Sequence, residues 1–269
     1  MRLLEQPMEK EITMLIDAHA HLTFDELSSQ IGYVINRSIA AGVTGWVTIG
    51  TNPDENAKAV ALASRYDNMY ATLGIHPHYA KDVTADGIRQ WRELAGSPKV
   101  VAIGETGLDF HYNISKPNVQ KDVFKKELEI ASLLKLPVVI HSRNAFNETI
   151  EILDEFLPRL KRVVIHCFTY SPAEAKAFLD RGCWISFTGV VTFKSAEVCR
   201  QAAILVPTSR MMIETDSPYM SPEPMRKQKV CEPALLVHTA RKLADLKDID
   251  YMAFCEEVTT STREFFGLK

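Results

Sequence analysis

The chain has 269 residues, with 31 Lys and Arg against 34 Asp and Glu and a formal net charge of −3. That balance excludes a protein that grips long duplex nucleic acid through many phosphate contacts, so a phosphorylated substrate must be held locally. The length fits one large α/β domain and no apolar run is long enough to span a bilayer. The five cysteines, odd in number and without a C-x-x-C pair, are the usage of a reducing, cytoplasmic compartment.

Residues 1–13 are polar and mixed in charge and read as an N-terminal extension; the expected domain is a single one over 14–269. The first apolar run, Met14-Leu-Ile-Asp-Ala, leads into His19-Ala-His21 and is followed by a helical pattern over 30–41. The second strand, Gly45-Trp-Val-Thr-Ile, precedes a helix over 54–65. The third, starting at Tyr70, ends in Gly74-Ile-His76-Pro-His78, with a helix expected over 86–95. Val100-Val-Ala-Ile-Gly runs up to Glu105, and Val138-Val-Ile up to His141 and Arg143; helices are expected over 118–135 and 144–156. Val163-Val-Ile precedes His166, and Cys183-Trp-Ile-Ser-Phe forms the seventh strand, with helices over 172–180 and 194–206. Met211-Met-Ile-Glu-Thr precedes Asp216, and helices over 233–246 and 251–266 complete the pattern. Eight alternations of short β-rich runs with amphipathic segments predict an α/β protein, a TIM (β/α)8 barrel with a short N-terminal tail and a C-terminal helix packed over its exterior.

In such a barrel the strand ends converge on one face, and six metal-ligating side chains stand at them: His19, His21, Glu105, His141, His166 and Asp216. Period-two alternation aims His19 and His21 to the same side. Four imidazoles and two carboxylates exceed what one tetrahedral site with an open position uses, which points to two divalent ions. Glu105, with two oxygens, is the natural bridge between a site of His19, His21 and Asp216 and a site of His141 and His166. Mixed nitrogen and oxygen donors suit Mn²⁺, Zn²⁺ or Co²⁺, whereas Mg²⁺ prefers oxygen and retains water. Two ions roughly 3.5–4 Å apart would lower the pKa of a shared water and make a hydrolytic centre. Asp216 would accept the water's proton, and His76 would orient the phosphate or protonate the departing alkoxide.

Blander roles stand beside these. Glu105 also suits a helix cap or a loop, and Asp216 a turn in Thr215-Asp-Ser-Pro. Arg143 suits a clamp on an anionic oxygen or a salt bridge on the barrel rim. His78, beyond a proline, is a candidate substrate contact or a solvated loop residue. Cys167 should alternate away from the site, and His111 and His238 lie outside its logic.

The chain resembles the TatD family of metal-dependent deoxyribonucleases, within the amidohydrolase superfamily. The resemblance rests on Ile16-Asp-Ala-His19-Ala-His21, Gly74-Ile-His76-Pro-His78, Ile103-Gly-Glu105-Thr-Gly-Leu-Asp109-Phe and Ile140-His141-Ser-Arg143. Ile165-His166-Cys-Phe-Thr, Ile185-Ser-Phe-Thr-Gly189-Val and Ile213-Glu-Thr-Asp216-Ser-Pro-Tyr219 complete it. It implies a TIM barrel, divalent metals held by the six ligands, Mg²⁺ retained among the metals, and a functional role for His76. It also implies hydrolysis of DNA from 3′ ends, and some relatives are linked with ester hydrolysis on charged tRNA. The expected partners are single-stranded DNA ends or another phosphodiester, with no membrane and no obligate protein partner evident. Cys231 departs from the family's asparagine, Thr262 from another, and Tyr170 from a glycine. Two other readings compete: hydrolysis of an amide, lactone or cyclic C–N bond, where related dinuclear sites carry a carboxylated lysine in place of Glu105, and a non-catalytic binding barrel, which would strand buried ligands without partners.

Overall fold

The computed structural model describes residues 14–84, 91 and 93–268. Strands β1 (Leu15–Ala20), β2 (Val43–Thr48), β3 (Met69–Leu73), β4 (Val100–Asp109), β5 (Val138–Arg143), β6 (Val163–Ile165), β7 (Trp184–Phe187) and β8 (Met211–Ile213) form one parallel sheet in sequence order. Beyond the last rung, the Asp216 N–H donates to the His19 carbonyl at 2.9 Å and the His21 N–H to the Ser217 carbonyl at 2.7 Å. These bonds draw the ends of β1 and β8 together into a nearly closed (β/α)8 barrel, the architecture the alternating pattern predicts.

The described helices are α1 (Asp25–Ser28), α2 (Ile31–Ala40), α3 (Pro53–Ala63), α4 (Pro117–Leu134), α5 (Phe146–Phe156), α6 (Pro172–Asp180), α7 (Glu197–Leu205), α8 (Leu236–Lys247) and α9 (Tyr251–Phe266). Local chemistry sets several starts. Asn52 caps α3 by accepting from the Asp54 and Glu55 amides with Pro53 at the first helical position, and Ser171 and Glu174 form a capping box ahead of α6. The expected extension over 1–13 and most of the helix expected over 86–95 lie outside the described residues.

Strand alternation divides the core into two faces. Val138, Ile140, Val163, Ile165, Met211 and Ile213 pack outward against helix residues such as Phe124, Leu128, Phe178 and Leu243. Their neighbours Val139, Val164 and Met212 point inward with Ala18, Val47 and Val101. Phe265 and Phe266 join this interior cluster, and Phe265 lies edge-on to Trp184 at 5.5 Å. The C-terminal helix α9 therefore packs on the exterior through Phe254 and Val258 and also plugs the barrel's N-terminal mouth, where simple exterior packing was expected. The mouth at the C-terminal ends of the strands is left open.

One departure from the expected strand limits matters for the site. β4 does not end before Glu105 but runs on to Asp109, buried throughout. Its pairing with β5 slips between Ile103 and Thr106, where three residues of β4 match two of β5. This bulge at 104–105 swings Glu105 into the barrel mouth while the strand continues beyond it.

Candidate metal centre

All six expected ligands converge at the C-terminal mouth, around a cavity of about 650 Å³. Glu105 is at the middle, and its two oxygens face different groups. Oε2 lies 3.4 Å from His19 Nε2 and 3.7 Å from His21 Nε2, and these two nitrogens lie 3.4 and 3.3 Å from Asp216 Oδ1. Oε1 lies 2.7 Å from His166 Nε2, 2.9 Å from His141 Nδ1 and 3.5 Å from His76 Nε2. The two groups touch, because the rings of His19 and His166 stack with centroids 4.0 Å apart.

Burial acts to raise the Glu105 carboxyl, but the imidazoles around it, His166 foremost, overcome that and hold it well below the usual carboxylate range. Burial likewise opposes ionisation of Asp216, and the His21 hydrogen bond and its neighbours bring it below its ordinary value. Glu105 and Asp216 are thus both held toward the anionic form in a buried setting, which favours cationic partners.

Carboxylates behind the ring determine which imidazole nitrogen faces the centre. His141 Nε2 lies 3.0 Å from Asp109 Oδ2, and His166 Nδ1 lies 3.3 Å from Glu214 Oε1. His141 Nδ1 and His166 Nε2 also meet Glu105 Oε1, so each ring lies between two carboxylates; against burial, their hydrogen bonds and charge raise it above the ordinary imidazole value. With a cation in place of the inner protons, each ring would keep its proton toward Asp109 or Glu214 and present a lone pair to the centre. His76 is arranged the opposite way. Its Nδ1 accepts from the His78 amide at 3.1 Å, which leaves the proton of the neutral ring on Nε2, facing the cavity. Burial also holds His76 well below the ordinary imidazole value, against the opposing charge of Glu105. His76 belongs by proximity with Glu105 and His141, yet its hydrogen bonding makes it a donor.

Asp109 and Glu214 were not among the expected site residues. Asp109 Oδ2 takes both His141 and His78, the latter at 3.1 Å, and these contacts outweigh burial and hold the carboxyl far below its ordinary value. Glu214 also accepts from the Cys167 amide and the Ser186 hydroxyl, both at 2.7 Å. Asp17 accepts from the Thr215 amide and hydroxyl, tying β1 to the segment before Asp216, and burial pushes it up to about 7. The signal for Asp109 was its period-two spacing from Glu105, and for Glu214 its spacing from Met212 and Asp216.

The remaining candidates take clear places. His78 lines the cavity beside Asp109, and Arg143 lies over the Tyr112 ring at 4.7 Å with no ion pair among the described residues, so the rim salt bridge is not formed. Cys167 corrects its expectation. It lines the cavity, because its left-handed backbone (φ 47°) breaks the alternation that would have turned it away. His111 is exposed, and His238 lies on α8, away from the cluster. The departures are absorbed by packing: Cys231 is buried with its amide on the Pro218 carbonyl, Thr262 bonds back to the Val258 carbonyl, and Tyr170 steadies the turn carrying Arg143 by bonding Ser142 and the Ala145 amide.

Among the described residues, eight buried polar side-chain atoms have no hydrogen-bond partner, and four of them lie in this cluster: His19 Nδ1 and Nε2, His21 Nδ1 and Glu105 Oε2. Each would cost roughly 1–3 kcal/mol if left so. Two of them, His19 Nε2 and Glu105 Oε2, face one another in the group with His21 and Asp216, so this donor set fits a divalent cation.

A barrel with such a mouth defines a metal-dependent hydrolase. The chain belongs to the TatD related DNase family, whose model matches residues 16–267. It is 36% identical to the 3′-5′ ssDNA/RNA exonuclease TatD of Erwinia amylovora, over 94% of this chain and 100% of the relative. It is 34% identical to the uncharacterized metal-dependent hydrolase YabD of Bacillus subtilis, over 95% of this chain and 100% of that one. The crystal structure of YJJV, a TatD homolog from Escherichia coli, superposes with a TM-score of 0.90 at 26% identity, covering 96% of this chain and 100% of its own. Among the described residues no helix is long and apolar enough to cross a membrane.

Proposed function

We propose that this chain, with residues 14–269 acting as one unit, removes nucleotides from the 3′ ends of single-stranded DNA or RNA, using two divalent ions bridged by Glu105. The observation that carries the reading is the split of Glu105, with Oε2 turned to His19, His21 and Asp216 and Oε1 turned to His141 and His166. The activity named for the Erwinia relative supports the substrate class. Mn²⁺, Zn²⁺ and Co²⁺ match the nitrogen-rich donor set, and Mg²⁺ remains within the family's range.

When bound, the ions supply Lewis-acid polarisation and water activation. The chain's own groups do the rest. Asp216, anionic and 3.3 Å from His21, is placed to accept the proton of the attacking water. His76 offers an N–H from Nε2 to a phosphoryl oxygen or to the departing 3′ oxygen. Arg143, exposed at the rim and without an ion pair among the described residues, is the anion clamp, and His78 is fixed by Asp109 at the cavity wall as a second substrate contact. The test is release of mononucleotides from single-stranded oligonucleotides labelled at either end, with each of the four metals. Release from 3′ ends is expected. Intact oligonucleotide in the presence of enzyme that elemental analysis shows to be loaded would refute the reading.

A further inference from the structure

Two tyrosines on the cavity rim have no part in the chemistry above. Tyr112 follows Asp109 by three residues, and its amide donates to Asp109 Oδ1 at 2.8 Å; Tyr219 follows Asp216 by three, and its amide donates to the Asp216 carbonyl at 3.0 Å. Each ring is therefore set by a turn anchored on a carboxylate residue of the centre. β4 and β8, which carry these turns, are four strands apart in an eight-stranded barrel, so the tyrosines stand on opposite walls of the mouth with Glu105 and Asp216 between them. Both line the cavity, yet they remain 56% and 51% exposed.

Each ring also has packed neighbours that hold it. The Arg143 guanidinium covers Tyr112 at 4.7 Å from the ring centroid, and the His78 ring meets it edge-on at 5.6 Å. Tyr219 lies edge-on to Phe24 at 6.4 Å, and Phe24 in turn stacks on the ligand His21 at 4.7 Å. Held aromatic faces flanking a phosphodiester site are the arrangement that binds unpaired bases without reading their sequence, because every base offers a π-face.

We propose that Tyr112 and Tyr219 are stacking platforms for the two nucleobases that flank the scissile phosphodiester, one on each side. The proposal rests on the nuclease reading and adds to it a physical basis for strand selectivity. In a duplex the bases are stacked on one another and paired, so neither can be laid on a tyrosine. A strand end with two free bases can span the mouth, with its phosphate over Glu105 and Arg143 beside the backbone.

The test compares Tyr112→Ala, Tyr219→Ala and the corresponding Phe variants on an intact single-stranded oligonucleotide and on strands carrying one abasic residue on either side of the scissile bond. Stacking predicts a loss in kcat/KM of roughly 5- to 150-fold for each Ala variant on the intact strand, with Phe retaining most of the activity. It further predicts that an abasic residue on one side erases the effect of Tyr112→Ala, and one on the other side that of Tyr219→Ala. A structural role would lower turnover equally on intact and abasic strands, and that result, or no loss at all, overturns the proposal. Failure of the nuclease reading is seen separately, in wild-type enzyme that leaves the intact strand uncut, an outcome that overturns both.

Discussion

Replacing His76 with alanine removes one N–H from the cavity and leaves His19, His21, Glu105, His141, His166 and Asp216 in place. If His76 only orients a charged phosphoryl oxygen, the loss is that of a hydrogen bond to a charged group, about 1.5–3 kcal/mol, or roughly 10- to 150-fold in rate. If instead the phosphate charge draws a second proton onto the ring, and the imidazolium gives it to the departing 3′ oxygen, the loss rises to roughly 10²–10⁴-fold. The two roles separate on a substrate with a nitrophenolate leaving group, which needs no acid: the variant is restored there if His76 is the acid, and loses equally on both substrates if it orients. Steady-state kinetics on the two substrates, with metal content measured in parallel, make the comparison. Loss of a metal from the variant would refute the reasoning, since it would mean that Nε2 carries a lone pair despite the His78 amide on Nδ1. Full activity on an unactivated phosphodiester would reduce His76 to a wall residue.

Glu105→Ala and Asp216→Ala should lose nearly all turnover while retaining a cooperative thermal transition, because the packed core lies below the catalytic face; wild-type rates in either would contradict the bridging and proton-accepting roles. Chelation should abolish activity and Mn²⁺, Zn²⁺ or Co²⁺ should restore it, so hydrolysis persisting in protein shown by elemental analysis to be metal-free would remove the metal centre. Glu127 on α4 is buried and accepts from the Ile75 amide at 2.7 Å and from the Thr106 hydroxyl, beside His76 and Glu105 respectively. Its burial raises the carboxyl well above its ordinary value. A folded value above the unfolded one means that the stabilisation is full below the unfolded value and is lost as pH rises through the folded value. Glu127→Gln should therefore flatten the fall of stability with rising pH in urea melts, and an unchanged slope would assign that slope to other groups. Glu127→Ala, which leaves the amide and hydroxyl unpaired, should cost roughly 2–6 kcal/mol. Gly107→Ala should impair turnover by displacing β5, since Gly107 has φ +134° and an added Cβ would meet the His141 carbonyl oxygen at 2.0 Å; metal content and activity together check this.

The ligands were legible because each followed an apolar run, and a barrel delivers the ends of such runs to one place. The partners of those ligands were not. Asp109 stood four residues past the point where β4 was expected to stop, and only the slip in pairing at 104–105 shows that the strand continues and returns Asp109 to the same face as Glu105. Glu214 was hidden inside the run Met211-Met-Ile-Glu-Thr, where it reads as part of the approach to Asp216 although alternation gives it the same side. Cys167 was misplaced for the converse reason, since alternation fails where the backbone turns left-handed. These omissions bear on the chemistry. Hydrogen-bonded partners determine which ring nitrogen keeps its proton: Asp109 and Glu214 would hold the protons of His141 and His166 away from a bound cation, while the His78 amide turns the proton of a neutral His76 toward the cavity. Sequence spacing assembles the histidines at the mouth, and the hydrogen bonds each ring makes with its neighbours are what the proposed division into ligands and a donor rests on.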